Sequence, residues 1–215
     1  MRVRAVIFDL WETLIDWPAD DSQAHRRSLI ERLAVDEEEF NRRWLDTFRT
    51  RETGPLAVAY EALGIPEEHL ATHVAERHEY TRRALRPRRG VTRTLDELAR
   101  RGIERGLISM CSEDVPAAWP DTELASRFEA TTFSASCGLV KPDPEIYLRT
   151  ARALGVDPAE ALYVGDGAND ELAGAAAVGM TPVLIVPQGR DPFWPEVREW
   201  RGLRITTIPE VLELC

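Results

Sequence analysis

The apolar positions change period twice along the chain. Ala5 to Phe8 form a continuous apolar run of strand length that ends in a carboxylate, Asp9. A run that is apolar on both faces predicts a central strand of a parallel sheet. From Leu14 the spacing turns helical and stays so to about residue 86. Asp36 and Glu39 have the spacing of a capping box, and Phe40, Trp44 and Phe48 then recur at i, i+4 and i+8 with Leu45 beside them. Pro55 and Gly64 bracket Leu56, Ala59, Tyr60 and Leu63, and Pro66 opens a further helix with Leu70, Val74, Thr81 and Leu85 on one face. With a helix near Ser22 to Leu33, this stretch is expected to hold about four helices and no strand.

From Gly90 strands and helices alternate. Helices are expected at Val91 to Arg101, Asp143 to Leu154 and Asn169 to Val178, the last two ended by Gly155 and Gly179. Strands are expected at Arg105 to Ser109, Ala130 to Ser134, Ala161 to Val164, Pro182 to Val186 and Arg204 to Thr207, before a terminal helix. This alternation implies an α/β class with a parallel sheet. The first strand belongs to that sheet, so residues 16–87 interrupt a single core built from 1–15 and 88–215. Between Pro187 and Gly202 lies a loop rich in Pro, Gly and aromatics, either a cover for part of the site or a surface segment.

The chain has 215 residues, enough for a full core and a small second unit. Its net charge of -10 disfavours a broad nucleic-acid or anionic-membrane surface. No apolar run approaches a membrane span, and the N-terminus enters a strand without a leader pattern, so a cytoplasmic protein is expected. Cys111, Cys137 and Cys215 lack metal-type spacing and read as reduced thiols. His69 and His73, four apart on one helix, read as solvent-facing for want of a third ligand nearby in sequence. Arg82, Arg83, Arg86, Arg88 and Arg89 read as a solvated hinge, and Arg49 and Arg51 as an exposed inter-helix loop.

Polar residues of catalytic type fall after four separate strands: Asp9, Ser109, Lys141, and the pair Asp166 and Asp170. Lys141 is the only lysine in the chain. Ligand sites in parallel α/β sheets lie beyond the carboxyl ends of the strands. Three carboxylates gathered there repel one another unless a divalent cation sits among them, and oxygen ligands of this kind suit Mg²⁺. Lys141 and the Ser109 hydroxyl could then share the charge of a phosphoryl group, leaving Asp9 as a carboxylate nucleophile.

At this point the sequence resembles the haloacid dehalogenase (HAD) superfamily over nearly its whole length. The first motif stands as Phe8-Asp-Leu-Trp-Glu-Thr-Leu14 and the second as Leu107-Ile-Ser109. The third stands as Gly138-Leu-Val-Lys-Pro-Asp-Pro-Glu-Ile-Tyr147, and the fourth as Val164-Gly-Asp-Gly-Ala-Asn-Asp170 running into Gly174 and Gly179. The resemblance implies a Rossmann-like core with a helical cap at 16–87. It implies Asp9 as nucleophile, Thr13 supporting its loop, and Ser109 and Lys141 contacting the transferred group. It also implies Mg²⁺ held by Asp9, the backbone carbonyl of Trp11, Asp166 and Asp170. The partner implied is a small phosphorylated metabolite.

One position departs from the family. Its phosphatases carry a second aspartate two residues after the nucleophile, as general acid and base; here that position is Trp11. Such assistance is worth about 10² to 10⁴ in rate. The adjacent Glu12 should point elsewhere. Family dehalogenases, which use no metal, have an aromatic residue at the position of Trp11, whereas phosphonate-cleaving relatives need a cap lysine that this chain lacks. Three readings follow, in this order: a Mg²⁺-dependent phosphohydrolase of restricted type, a metal-independent 2-haloacid dehalogenase, and a non-catalytic phosphate-binding protein.

Overall fold

The computed structural model describes residues 2–187, 189 and 191–215. Among them six strands form one parallel sheet: β1 (Ala5–Phe8), β2 (Glu104–Ser109), β3 (Ala130–Phe133), β4 (Ala161–Gly165), β5 (Thr181–Ile185) and β6 (Leu203–Ile205). Their order is β3-β2-β1-β4-β5-β6. Successive side chains of a strand face opposite sides of the sheet, so the apolar run of β1 feeds two cores. Val6 and Phe8 pack in the cluster that holds Val91, Leu95 and Leu98 of α6 (Val91–Arg100). Ala5 and Ile7 pack in the one that holds Ile146, Tyr147 and Ala151 of α9 (Pro144–Leu154), with Leu172 and Ala175 of α10 (Glu171–Ala177). Burial on both faces is what makes β1 apolar throughout.

The chain leaves β1 for β2 and β3 on one side, then returns to place β4 on the other. This reversal between β1 and β4 is the switch point at which open α/β sheets form a crevice. Phe8 is in register with both Leu107 and Val164. Asp9, Ser109 and Asp166 therefore emerge at nearly one level, and the Asp9 backbone N–H donates to the Val164 carbonyl at 2.8 Å.

Between β1 and α6 lie α1 (Ala19–Leu33), α2 (Glu37–Asp46), α3 (Phe48–Thr53), α4 (Leu56–Leu63) and α5 (Glu67–Ala84). Their own apolar cluster centres on Leu29, Phe40, Leu56, Tyr60, Leu63 and Ile65. The stretch holds five helices where about four were expected, because the helical pattern breaks at Thr47. Its hydroxyl donates to the Arg43 carbonyl at 2.9 Å, the local competition by which threonine unsettles a helix. The capping box forms by half: Asp36 Oδ1 accepts from the Glu39 N–H at 2.8 Å, while the Glu39 carboxylate pairs with Arg43 at 2.7 Å.

Other expectations change in the folded chain. His73 is 2% exposed rather than solvent-facing, because its side of α5 packs against α1, whereas His69 meets Arg32 at 3.1 Å near the surface. Arg51 is buried within α3, not exposed in a loop. Its guanidinium stacks 3.6 Å from the Trp44 ring centroid and donates to the Trp44 carbonyl. Burial lowers its pKa to about 10. The terminal helix is a 3-10 turn at Ile208–Glu213. Two short helices not read from the sequence, α7 (Asp114–Ala118) and α8 (Ser134–Cys137), follow β2 and β3. No helix among the described residues is long and apolar enough to cross a membrane.

Candidate active site

Lys141 is the hub of the crevice. Gly138 takes φ 73°, ending α8, and Asp143 caps α9 by accepting from the Glu145 N–H at 2.9 Å. The segment between these two fixed points carries the lysine into the interior, where it is 5% exposed. Its Nζ donates to Asp9 Oδ1 at 2.5 Å and to Glu171 Oε2 at 2.7 Å. Burial opposes the ammonium, but the Asp9 and Glu171 charges outweigh it and hold the Lys141 pKa above its ordinary value.

Glu171 is the site residue that sequence reasoning missed. It is fully buried and accepts from Lys141, from the Tyr163 hydroxyl at 2.7 Å and, through Oε1, from the Gly167 N–H at 2.9 Å. Tyr147 donates to its backbone carbonyl at 3.0 Å. Gly165 makes room for this carboxylate: a Cβ there would lie 2.0 Å from Glu171 Oε1. Asp170, expected on the metal side, is exposed instead. Gly167, Asn169 and Asp170 all take positive φ, and this left-handed turn rewinds the chain so that Glu171, the first residue of α10, faces the strand ends. A sequence signal was present, since Glu171 shares a helix face with buried Ala175, four residues on.

Asp9, Asp166 and Glu171 each bring a carboxylate oxygen within 4.8 Å of the others. Burial, together with the charge of Glu171 and against that of Lys141, pushes the Asp9 pKa up to about 6. Burial and the charge of Asp9 push Asp166 up to about 6 as well. Glu171 is also raised, by burial first, with Lys141 opposing. Three carboxylates against one ammonium leave the cluster short of positive charge, and an all-oxygen set of this kind fits a hard divalent cation.

Thr13 and Ser109 are wholly buried, and their hydroxyls have no hydrogen-bond partner among the described residues. Buried hydroxyls without partners are uncommon; Ser109 ends β2, and Thr13 stands on the segment that leaves β1. Cys111, two residues past Ser109, has its backbone N–H bonded to Ser134 Oγ at 2.8 Å, and burial raises its thiol pKa well above the ordinary value. Trp11 is half-buried, with its ring edge-to-face to Trp17 at 5.3 Å. The Glu12 carboxylate is engaged elsewhere, with Arg88 at 3.0 Å and the Trp17 N–H at 2.7 Å. Arg88, expected in a solvated hinge, ties residue 88 back to the loop after β1 through Glu12 and Asp16.

Within the 187–202 segment, residues 188 and 190 lie outside the described residues. Trp194 reaches the site: its indole N–H donates to Asp166 Oδ2 at 2.7 Å, while Oδ1 accepts from the Ala168 N–H at 3.1 Å. Phe193 beside it stays 78% exposed.

A family model for haloacid dehalogenase-like hydrolases matches residues 3–178. The glyceraldehyde 3-phosphate phosphatase of Methanopyrus kandleri is 29% identical over 197 residues, which cover 85% of this chain and 84% of that protein. Among solved structures, a HAD phosphatase from Thermococcus onnurineus is similar with a TM-score of 0.72 at 23% identity, covering 100% of this chain and 97% of that one. A 2-haloacid dehalogenase from Pseudomonas syringae pv. Tomato is similar with a TM-score of 0.69 at 24% identity, over 99% and 97%. These two likenesses establish the Rossmann-like α/β fold, which a phosphatase and a dehalogenase share.

Proposed function

The chain belongs to the haloacid dehalogenase-like hydrolase family, and on that premise we propose that it is a Mg²⁺-dependent phosphohydrolase of a small phosphorylated metabolite. The observation that carries this reading is the group of three carboxylates gathered round Lys141. A haloacid brings its own carboxylate and loses a halide that needs no metal, so a second and third acid beside the nucleophile would only repel it. A phosphate ester with Mg²⁺ makes use of the same excess charge. The phosphatase named among the relatives supports the reading.

Asp9 and Asp166 would hold Mg²⁺, with the Trp11 carbonyl as the resemblance implies and with Glu171 as the third nearby carboxylate in place of Asp170. Bound there, Mg²⁺ supplies Lewis-acid stabilisation of the phosphoryl oxygens. Lys141 anchors Asp9 Oδ1, which leaves Oδ2 to attack phosphorus. The bond from phosphorus to the leaving oxygen breaks, and an aspartyl-phosphate remains on Asp9. Water then attacks that phosphorus, inorganic phosphate departs and the carboxylate is restored. The Ser109 hydroxyl is a donor to the phosphoryl group, and Thr13 supports the loop that carries Asp9. Residues 16–87 act as the cap over the strand ends.

Trp11 has no acidic proton to give, and Glu12 is committed to Arg88, so the leaving oxygen takes its proton from water. Substrates whose leaving group is already a weak base should therefore be favoured. Trp11→Asp is expected to raise hydrolysis of an alkyl phosphate by about 10²-fold or more while changing p-nitrophenyl phosphate much less. Steady-state kinetics on both esters checks this, and a folded variant with no gain would sink the assignment of Trp11 to the missing acid's place. The class of reaction is tested by offering the purified chain p-nitrophenyl phosphate, acetyl phosphate and 2-chloropropionate with Mg²⁺ or EDTA. Phosphate release that needs Mg²⁺ is expected; halide release indifferent to EDTA would establish the dehalogenase instead.

A further inference from the structure

We propose that His25, His73 and Glu76 form a second metal site, within the helical insert, for a borderline divalent transition ion of the zinc type. His25 lies on α1, and His73 and Glu76 stand one turn apart on α5, where i and i+3 share a face. His25 is 6% exposed and His73 2% exposed. One ligand atom from each of the three residues lies within 4.8 Å of the other two.

The detailed geometry is that of a ligand set. His25 Nδ1 and His73 Nδ1 converge on the same oxygen, Glu76 Oε2, at 3.5 and 3.2 Å. Bonds of about 2.0 to 2.1 Å in a tetrahedral zinc site put its ligands about 3.3 Å apart. His25 Nε2 bonds the Tyr60 hydroxyl at 2.8 Å, the outer hydrogen bond by which a ligating imidazole is usually oriented. That leaves His25 Nδ1, one of the converging ligand atoms, buried without a hydrogen-bond partner. A hidden imidazole nitrogen of this kind is costly unless something satisfies it.

The surroundings agree. The nearby Arg77 charge is already balanced by Asp114 at 2.9 Å. A cavity of about 310 Å³ borders His25 and Glu76, and Ser28 also lines it together with Arg83, whose charge is paired with Asp21 and Glu79. It gives an ion an entry path and leaves room for water as a fourth ligand. Two imidazole nitrogens select against Mg²⁺, so this site and the all-oxygen cluster beside Asp9 would not compete for one ion. A bound ion would staple α1 to α5.

The test is calorimetric titration of Zn²⁺ into the full chain in saturating Mg²⁺. One Zn²⁺ per chain is expected to bind, with a rise in melting temperature. Glu76→Gln and His73→Gln should each weaken binding by at least about tenfold, since even outer-shell losses at metal sites cost about 10- to 100-fold. Glu76 has a half-exposed side chain, so that variant stays folded by circular dichroism whatever becomes of His73→Gln. Zn²⁺ uptake that persists in Asp9→Asn but is lost in Glu76→Gln places the ion in the insert. No uptake, uptake unchanged in Glu76→Gln, or uptake lost in Asp9→Asn would each overturn the proposal and leave an ordinary hydrogen-bonded histidine pair.

Discussion

Replacing Asp9 by Asn is expected to lower Mg²⁺-dependent phosphate release by on the order of 10⁴-fold or more, the scale on which enzymes lose rate when the attacking group is removed. The amide keeps the shape of the side chain and can still accept from Lys141, so the loss isolates the chemistry of one oxygen. Stability should move the other way. The Asp9 carboxylate is desolvated and crowded by Asp166 and Glu171, with a pKa of about 6. At pH 7.5 the carboxylate is charged, and its removal relieves that repulsion. A melting temperature equal to or above that of the parent, with activity lost, is the expected pair of results. Release above about 1% of the parent rate, after mass spectrometry has excluded deamidated chain, would remove Asp9 from the nucleophile's role.

What could be read in the sequence was what local chemistry dictates. The apolar run of β1 announced a strand buried on both faces, and Asp143 with Pro144 announced the start of α9. Asp9, Ser109, Lys141 and Asp166 stand out in the sequence because each ends or follows a strand, and the parallel topology brings strand ends together. That Glu171, rather than the neighbouring Asp170, reaches Lys141 has a definite cause. Direction after a strand depends on φ, and three left-handed residues in four positions turn the chain by an amount that spacing alone does not show. His25 and His73 were missed as a pair for a different reason. They are 48 residues apart, and only the packing of α1 on α5 joins them. Trp194 was legible as an aromatic in a loop, but its hydrogen bond to Asp166 depends on how that loop folds back.

The same limit hides the contact by which the insert is fixed on the core, and this contact should dominate stability. Arg77 of α5 donates from Nε to Asp114 Oδ2 of α7 at 2.9 Å, and the Thr81 hydroxyl donates to the same oxygen at 2.5 Å. The Asp114 side chain is wholly buried and that of Arg77 is 11% exposed. Next to it, Glu113 accepts from the Leu56 N–H at 2.8 Å, at the start of α4. Asp114→Ala would leave a guanidinium and a hydroxyl buried without their acceptor, and breaking such a pair costs about 3 to 5 kcal/mol. For a chain of this size that is a fall in melting temperature of about 6 to 20 °C. Arg77→Met should fall in the same range, because it strands the Asp114 carboxylate. The double variant Arg77→Met with Asp114→Leu should recover the part of the loss that comes from the stranded charge, since an apolar pair of similar volume carries no charge to desolvate, while the Thr81 hydroxyl stays unpaired. Calorimetric melting of the four proteins checks the cycle, and single variants within about 1 kcal/mol of the parent would refute it. The double variant also separates stability from orientation. Apolar contacts can hold α5 against α7 without fixing the direction that a charged, hydrogen-bonded pair imposes. If the insert serves as the cap proposed above, a raised KM for p-nitrophenyl phosphate in the double variant is therefore expected, because the pair fixes how α5 sits against α7.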